Sequence, residues 1–322
     1  MNISVYLLPT LIIMGTIGNI LTMVVYFRKP MRSFSVGLYL AVYSADNTLI
    51  LILIYGGSWL AKGTPYREAE NLSDLGCRIT QYVNRMVMHY GIWLLVVMTL
   101  DRYIYVCHPY KANNFCKVFM SKTALILIAI GVTLVSIHST WTYEFSHGHC
   151  FPLLHNIYYV IWNWFSASCL TFLPLLILLI LDILLVIGLC THSHPNREPG
   201  TQRISVDLTN TVLGLSLTYL TLAFPATIIN VIYYTMPMDR FTDMDFIEEL
   251  KLATSISNFM NCVNQAFIFF VCVILSSSFR GSLRDIIVRC RQKNEAVSNE
   301  LTVLTAIKGI PIESSKDTET LV

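Results

Sequence analysis

The 322 residues are 54% hydrophobic and only 13% charged, far more apolar than a soluble domain of this size, so lipid is the expected solvent for most of the chain. A formal charge of +2, with basic residues gathered near predicted membrane edges and not along a stripe, excludes a nucleic-acid partner. The nine cysteines contain no C-x-x-C pair and indicate no metal site; only Cys77 and Cys150 lie in stretches that look like loops on one common side, and a single bridge between them is the economical reading.

Apolar runs long enough for a hydrocarbon core of roughly 30 Å occur at about 5–27, 34–60, 80–106, 120–141, 156–189, 206–234 and 248–275. They predict an all-α membrane protein, a seven-transmembrane helix bundle. The third and seventh spans are the least apolar. One holds Gln81, Asn84, Arg85 and His89, the other Asn258, Asn261, Asn264 and Gln265, as expected of helices facing a bundle interior.

Lysines and arginines number 16 on the side of the first, third and fifth inter-span loops and the tail, against 5 on the other side, which predicts an outside N-terminus. No cleavable signal with a basic leading region is visible, so the first span is expected to act as its own insertion signal, without an extracellular ligand-binding domain. Two glycosylation sequons occur, Asn2-Ile-Ser and Asn71-Leu-Ser. Asn2 lies so near the membrane that Asn71 is the better acceptor.

After the last span, "SSSFRGSLRDIIVRCRQK" places Phe279, Leu283, Ile286 and Ile287 on one face and arginines on the other, the pattern of an amphipathic helix on the membrane surface. Cys290 beside it is either a palmitoylation site or an ordinary free thiol. The expected organisation is therefore a seven-span domain with its surface helix over 1–290 and a disordered cytoplasmic tail over 291–322.

Several residues then carry a resemblance in order along the seven spans: Gly18-Asn19, Asp46 in "YSADN", Cys77, Asp101-Arg102-Tyr103, "CHP" at 107–109, Pro174, Pro225 and "SSSFR" at 276–280. Along nearly its full length the chain resembles a rhodopsin-family (class A) G-protein-coupled receptor. Within that family, "HYGIWLLVVMTLDRYIYVCHPYKANNF" and the N-x-A followed by paired phenylalanines in the seventh span look most like FMRFamide-type neuropeptide receptors and nearby orphan receptors.

The departures from the family pattern are equally specific. Ala223 stands where the family has a tryptophan before the sixth-span proline, Asp182 stands at a fifth-span tyrosine, and the fourth-span tryptophan is missing. No N-P-x-x-Y sequence is present. The favoured register aligns "IFFVC" (268–272) with that motif, leaving Asn264 one turn above it; the other register puts Asn264 at the motif's asparagine.

The resemblance implies a plasma-membrane, multi-pass receptor that is not an enzyme, activates heterotrimeric G proteins and needs no resident cofactor. It implies that a Cys77–Cys150 bridge ties the second extracellular loop to the third span. It also implies that Asp101 satisfies Arg102 in the inactive state. When the sixth span swings outward, Arg102, with Tyr103 beside it, contacts a Gα subunit. Pro109 and Tyr110 begin the second intracellular loop, and Tyr110 fills an apolar slot on the G protein. Ser205 stands where many receptors carry an acid that locks the arginine, with Thr209 or Asp207 as the substitutes to consider. In the family Asp46 helps to bind sodium. Here Gly91 and Ile268 replace a usual serine and asparagine, so Asn19 and Asn264 are its expected partners, and a protonated, structural Asp46 is the rival reading.

The residues themselves add a ligand site. Asn84, Arg85, Met88 and His89 fall on one stripe below Cys77. An arginine in a membrane helix is costly unless paired or hydrated and usually marks a function. It either binds a carboxylate or amide carbonyl of a ligand, or snorkels, or pairs with Glu144 or the neighbours of Asp182. Tyr158, Trp162, Trp164, Phe165 and Tyr233 either wall the cavity or face lipid. Nine acids face five bases outside, five of the acids within 239–249, a field that steers a cationic ligand inward. Together these features suit a short extracellular peptide.

At the other end "DTETLV", with Thr320 two positions before Val322, fits a PDZ-domain ligand. Ser314, Ser315 and Thr318 are candidate kinase sites for arrestin recruitment. Two alternatives stand beside this reading: a receptor-like binder with weak or partner-dependent signalling, and a seven-span transporter, for which no internal repeat or pair of broken helices is visible.

Overall fold

The computed structural model describes residues 3–63, 68–153, 157–191, 199–235 and 244–308. Asn2, Thr320, Val322, Ser314, Ser315 and Thr318 lie outside them, as do Asp239 and Asp243.

Within lipid a backbone has to satisfy its own polar groups, and the apolar runs do so as helices. α1 spans Ile3–Tyr26. α2 begins at Ser35, is π-helical over Ile50–Gly56 and ends at Gly63. α3 runs Asp74–Cys107. Ser73 caps its start by accepting from the Gly76 N–H at 3.0 Å, and Pro109 ends it by forcing His108 out of the helical region. α4 covers Val118–Ser136. α5 runs Ile157–Thr191 with a π-helical turn at Ser168–Phe172, and α6 runs Pro199–Thr235 with another at Tyr219–Ala223. α7 consists of Met244–Ala266 and Ile268–Leu275.

Six of these helices are long and apolar enough to cross a membrane, and the two parts of α7, bent by 47° at Phe267, make the seventh span. The bend immediately precedes Ile268, where the favoured register begins its motif. The predicted spans match the structure to within about five residues, the third and sixth excepted: the third starts six residues earlier than expected, at Asp74 behind the Ser73 cap, and the sixth seven residues earlier, at Pro199.

α3 is the central element, packed on α2, α4, α5 and α6, while α1 packs on α2 and α7. Small residues allow the close crossings, as is usual where lipid offers no hydrophobic drive between helices. A Cβ added at Gly15 would lie 2.6 Å from Ala266 Cβ, and one at Gly18 would lie 2.8 Å from Phe269 Cβ. Side chains such as Ile126, Leu127, Leu134 and Ile187 are exposed on the outer faces, where lipid replaces water.

Between α4 and α5 lies a two-stranded antiparallel hairpin, β1 (Tyr143–Ser146) and β2 (His149–Pro152). His147 and Gly148 turn it with φ of 51° and 82°, the positive pair that a two-residue hairpin loop demands. Cys150 on β2 is joined to Cys77 on α3.

The chain divides into two compact units, residues 1–278 and 279–322. The second unit continues α8, a helix over Ser277–Lys308. The amphipathic stretch is thus helical, and the helix extends past 290, where the disordered tail was expected to begin. Cys290 lies on α8; its side chain is outside the described set.

Candidate functional site

At the hairpin end, the Cys77–Cys150 bridge is one of several links between α3 and the loops. Asn71 Oδ1 accepts the Cys150 N–H at 3.0 Å, so the sequon asparagine pins the first loop against β2. Arg78 donates to the Thr140 carbonyl at 2.8 Å and pairs with Asp74. Gln81 Nε2 donates to Glu70 Oε2 at 2.7 Å. Burial pushes the Glu70 carboxyl up to about 7, the negative charge of Glu68 adds to the rise, and the Gln81 bond opposes it.

Two turns down α3, Arg85 Nη2 donates to Tyr143 Oη at 3.0 Å and to Asn163 Oδ1 at 3.2 Å, and its guanidinium stands 5.7 Å from the Tyr143 ring centre. Arg85 therefore bridges α3, β1 and α5. The pairing with Glu144 is not the one formed: Tyr143 and Glu144 alternate along β1, so Tyr143 faces the bundle and is buried while Glu144 is exposed. His89 Nδ1 lies 2.6 Å from the Arg85 carbonyl one turn back. Met88 packs on the cluster of Ile50, Leu51, Tyr55, Val87 and Cys262, and Asn84 is half-buried.

Of the two readings of the aromatic residues, the lipid-facing one fits those on α5, and the side chain of Tyr233 lies outside the described set. Tyr158, Trp162, Trp164 and Phe165 are exposed on α5, whereas Tyr159, Asn163 and Ser166 point inward. The inward set recurs at helical spacing, a signal available in the sequence but masked by the density of aromatic residues in "NIYYVIWNWF". Trp162 does stack on His138, with ring centres 6.0 Å apart.

In the middle of the bundle Asp46 is buried, and its Oδ2 has no hydrogen-bond partner among the described residues. The expected partners do not bond to it. Asn19 Nδ2 donates to the Gln265 carbonyl at 3.0 Å, and Asn264 Nδ2 has no hydrogen-bond partner among the described residues. Asp46 leans instead over Gly91, where an added Cβ would lie 2.9 Å from Oδ2. The close crossing of α1 and α7 at Gly15 and Gly18 delivers Asn19 to the α7 backbone and so accounts for its diversion.

At the opposite end Arg102 is fully buried. Its Nη2 and Nε donate to Asp101 Oδ2 at 2.6 and 3.2 Å, and Ser35 Oγ donates to the same oxygen at 3.0 Å. The guanidinium stands 4.7 Å from the Tyr105 ring centre. The local pair expected from sequence is thus formed, with a serine from α2 added. Tyr103 packs edge-on to His108, and Pro109 opens a short helix, Pro109–Phe115, that leaves Tyr110 93% exposed.

Neither Arg102 Nη1 nor Ser205 Oγ has a hydrogen-bond partner among the described residues. Both proposed substitutes for the lock bond elsewhere. Thr209 donates to the Ser205 carbonyl within α6, and Asp207 accepts from Ser277 and Ser278. Asp182, at the family's tyrosine position, accepts from Ser216 of α6 at 2.9 Å.

The seven-helix bundle, the disulfide and the buried Asp101–Arg102 pair define a membrane receptor. Residues 18–279 match the pattern described as 7 transmembrane receptor (rhodopsin family), and the chain belongs to that family. It is accordingly a multi-pass plasma-membrane protein and not an enzyme. It is 24% identical over 324 residues to human G-protein coupled receptor 183, covering 96% of this chain and 85% of the relative. Two similar proteins come from Caenorhabditis elegans. A probable G-protein coupled receptor is 21% identical over 299 residues, covering 85% of this chain and 67% of the relative. An FMRFamide peptide receptor is 24% identical over 138 residues, covering 42% and 32%. This chain therefore spans about a third of that peptide receptor.

Proposed function

We propose that this protein is a cell-surface receptor for a short extracellular peptide, with its hairpin end outside, and that it activates heterotrimeric G proteins through the Asp101–Arg102 end. The observation that carries the ligand reading is Arg85. Its guanidinium lies on the inward stripe with Asn84, Met88 and His89 and is oriented by Tyr143 and Asn163. Guanidinium held in a fixed plane recognises a carboxylate or an amide carbonyl in two-pronged fashion, which suits the terminus of a peptide. The similarity to an FMRFamide peptide receptor, over less than half of the chain, points the same way.

A neuropeptide-library screen with a promiscuous Gα readout, repeated on Arg85→Ala, tests this. A peptide whose response disappears in the variant supports it, and a peptide hit insensitive to the substitution removes Arg85 from the site.

Coupling is assigned to Arg102, with Tyr103, Pro109 and Tyr110 on the surface that meets Gα. Basal second messenger above that of mock cells, abolished by Arg102→Ala, is the expected result; equal levels in both cells count against basal coupling. Ligand-dependent recruitment of miniature G proteins separates this reading from a receptor-like binder that signals weakly.

Asp46, whose buried Oδ2 lacks a hydrogen-bond partner among the described residues, offers a hard oxygen of the kind a sodium ion takes and would gain one compensating charge from it. Glycosylation at Asn71, palmitoylation at Cys290, arrestin binding and PDZ capture through Thr320 and Val322 complete the proposal. Pull-down by a tail peptide that survives deletion of Val322 would refute the PDZ assignment.

A further inference from the structure

We propose that Asp207 is a latch that holds the Asp101–Arg102 end of α6 against the turn leaving α7, in place of a direct bond between α6 and Arg102. One carboxylate oxygen, Oδ2, accepts three bonds from that turn: Ser277 Oγ at 2.8 Å, Ser278 N–H at 2.7 Å and Ser278 Oγ at 2.6 Å. Arg203, one turn earlier on α6, donates from Nε to Ser277 Oγ at 3.0 Å.

The proton assignments are consistent throughout. The Ser277 hydroxyl accepts from the guanidinium and donates a hydrogen bond to the carboxylate, and Ser278 uses both of its donors. Ser277 and Ser278 are the first two residues of α8, where backbone N–H groups have no intrahelical acceptor and the helix dipole favours negative charge. Asp207, 9% exposed, thus caps a helix start from a different element, with charge-assisted bonds of the short, strong kind.

A second contact acts at the same interface. Gly214, two turns further along α6, lets α6 approach so closely that an added Cβ would collide with Leu275 at the end of α7. α6 is therefore both pressed onto α7 and tied to its end. Arg102, meanwhile, is held by Asp101, whose carboxylate also accepts from Ser35, and neither residue is on α6. An outward movement of α6 has to break the Asp207 network first. That the movement serves signalling rests on the receptor reading above; the latch itself rests on the bonds.

The test uses the full chain in lipid nanodiscs and follows backbone hydrogen exchange over Pro199–Thr218. Asp207→Ala, and separately Ser277→Ala with Ser278→Ala, are each expected to speed exchange there by roughly tenfold, the effect of losing a charge-assisted bond. The triple variant is expected to be no faster than Asp207→Ala alone, because the serine pair leaves only the Ser278 N–H bond and loss of the carboxylate removes that as well. Basal recruitment of a miniature Gα is expected to rise in the same variants. Unchanged exchange in the serine pair, or additive acceleration in the triple variant, overturns the latch. If Asp207→Ala does not fold, the serine pair decides alone. Faster exchange without recruitment supports the latch and counts against G-protein coupling only.

Discussion

Glu70 shows how a single loop carboxyl reports its surroundings. Its folded-state pKa is raised to about 7 from an ordinary value of 4.5, first by burial and then by Glu68, so between these values the native chain holds a proton that the unfolded chain has lost. Stability from this group is therefore fully present below 4.5 and is lost as pH rises from there through about 7. Thermal unfolding is expected to occur at lower temperature at pH 7.5 than at pH 5.5, with the difference reduced in Glu70→Gln; an identical pH difference in the variant would contradict the assignment. At Gly91 the constraint is steric. Gly91→Ser brings a side chain against Asp46 Oδ2, and its hydroxyl supplies the donor that this oxygen lacks. The variant is expected to shift any sodium dependence of thermal stability, which Asp46→Asn should remove altogether.

Pairs of helices depend on residues whose value is their lack of bulk. Gly15→Ala would push its methyl against the Cβ and Cα of Ala266, atoms that no rotamer change can move, at an expected cost of about 1–3 kcal/mol. Ala266→Gly in the same chain should return part of the lost melting temperature, and a failure to rescue would place the cost elsewhere. Elements were legible in the sequence wherever one-dimensional length decides them. The seven spans follow from apolar run length, and the Asp101–Arg102 pair from adjacency. Tertiary partners were not legible in the same way. Asp207 and Ser277 are far apart in sequence and meet only because α6 lies along α7, and Tyr143, next to the acid expected to pair with Arg85, was hidden by the alternation of a strand. Asn19 and Asp46 were expected to meet because Gly91 and Ile268 replace the partners usual in the family, yet the approach of α1 to α7 sends Asn19 to a backbone carbonyl.

On the scale of the molecule, the two ends of the bundle are constrained by different means. The hairpin end has a covalent tie across 73 residues, and its loss in Cys77→Ser with Cys150→Ser should cost up to about 4 kcal/mol, read as reduced surface abundance and melting temperature. Among the described residues the other end is held by hydrogen bonds, an ion pair and side-chain packing, all of which can be exchanged in a movement. Between the ends, α2, α5 and α6 each contain a π-helical turn near their middle. Such a turn takes one more residue than an α-helical turn, and one residue is about 100° of rotation. In α6 the surplus residue therefore acts as an angular offset between two rods, setting which way Pro199–Thr218 faces once Phe224–Thr235 is fixed. Deleting a single residue from Tyr219–Ala223 would leave the composition and hydrophobicity of the span almost unchanged while turning Asp207 away from Ser277 and Ser278. The aim of one end of the receptor is written in the count of residues at its centre.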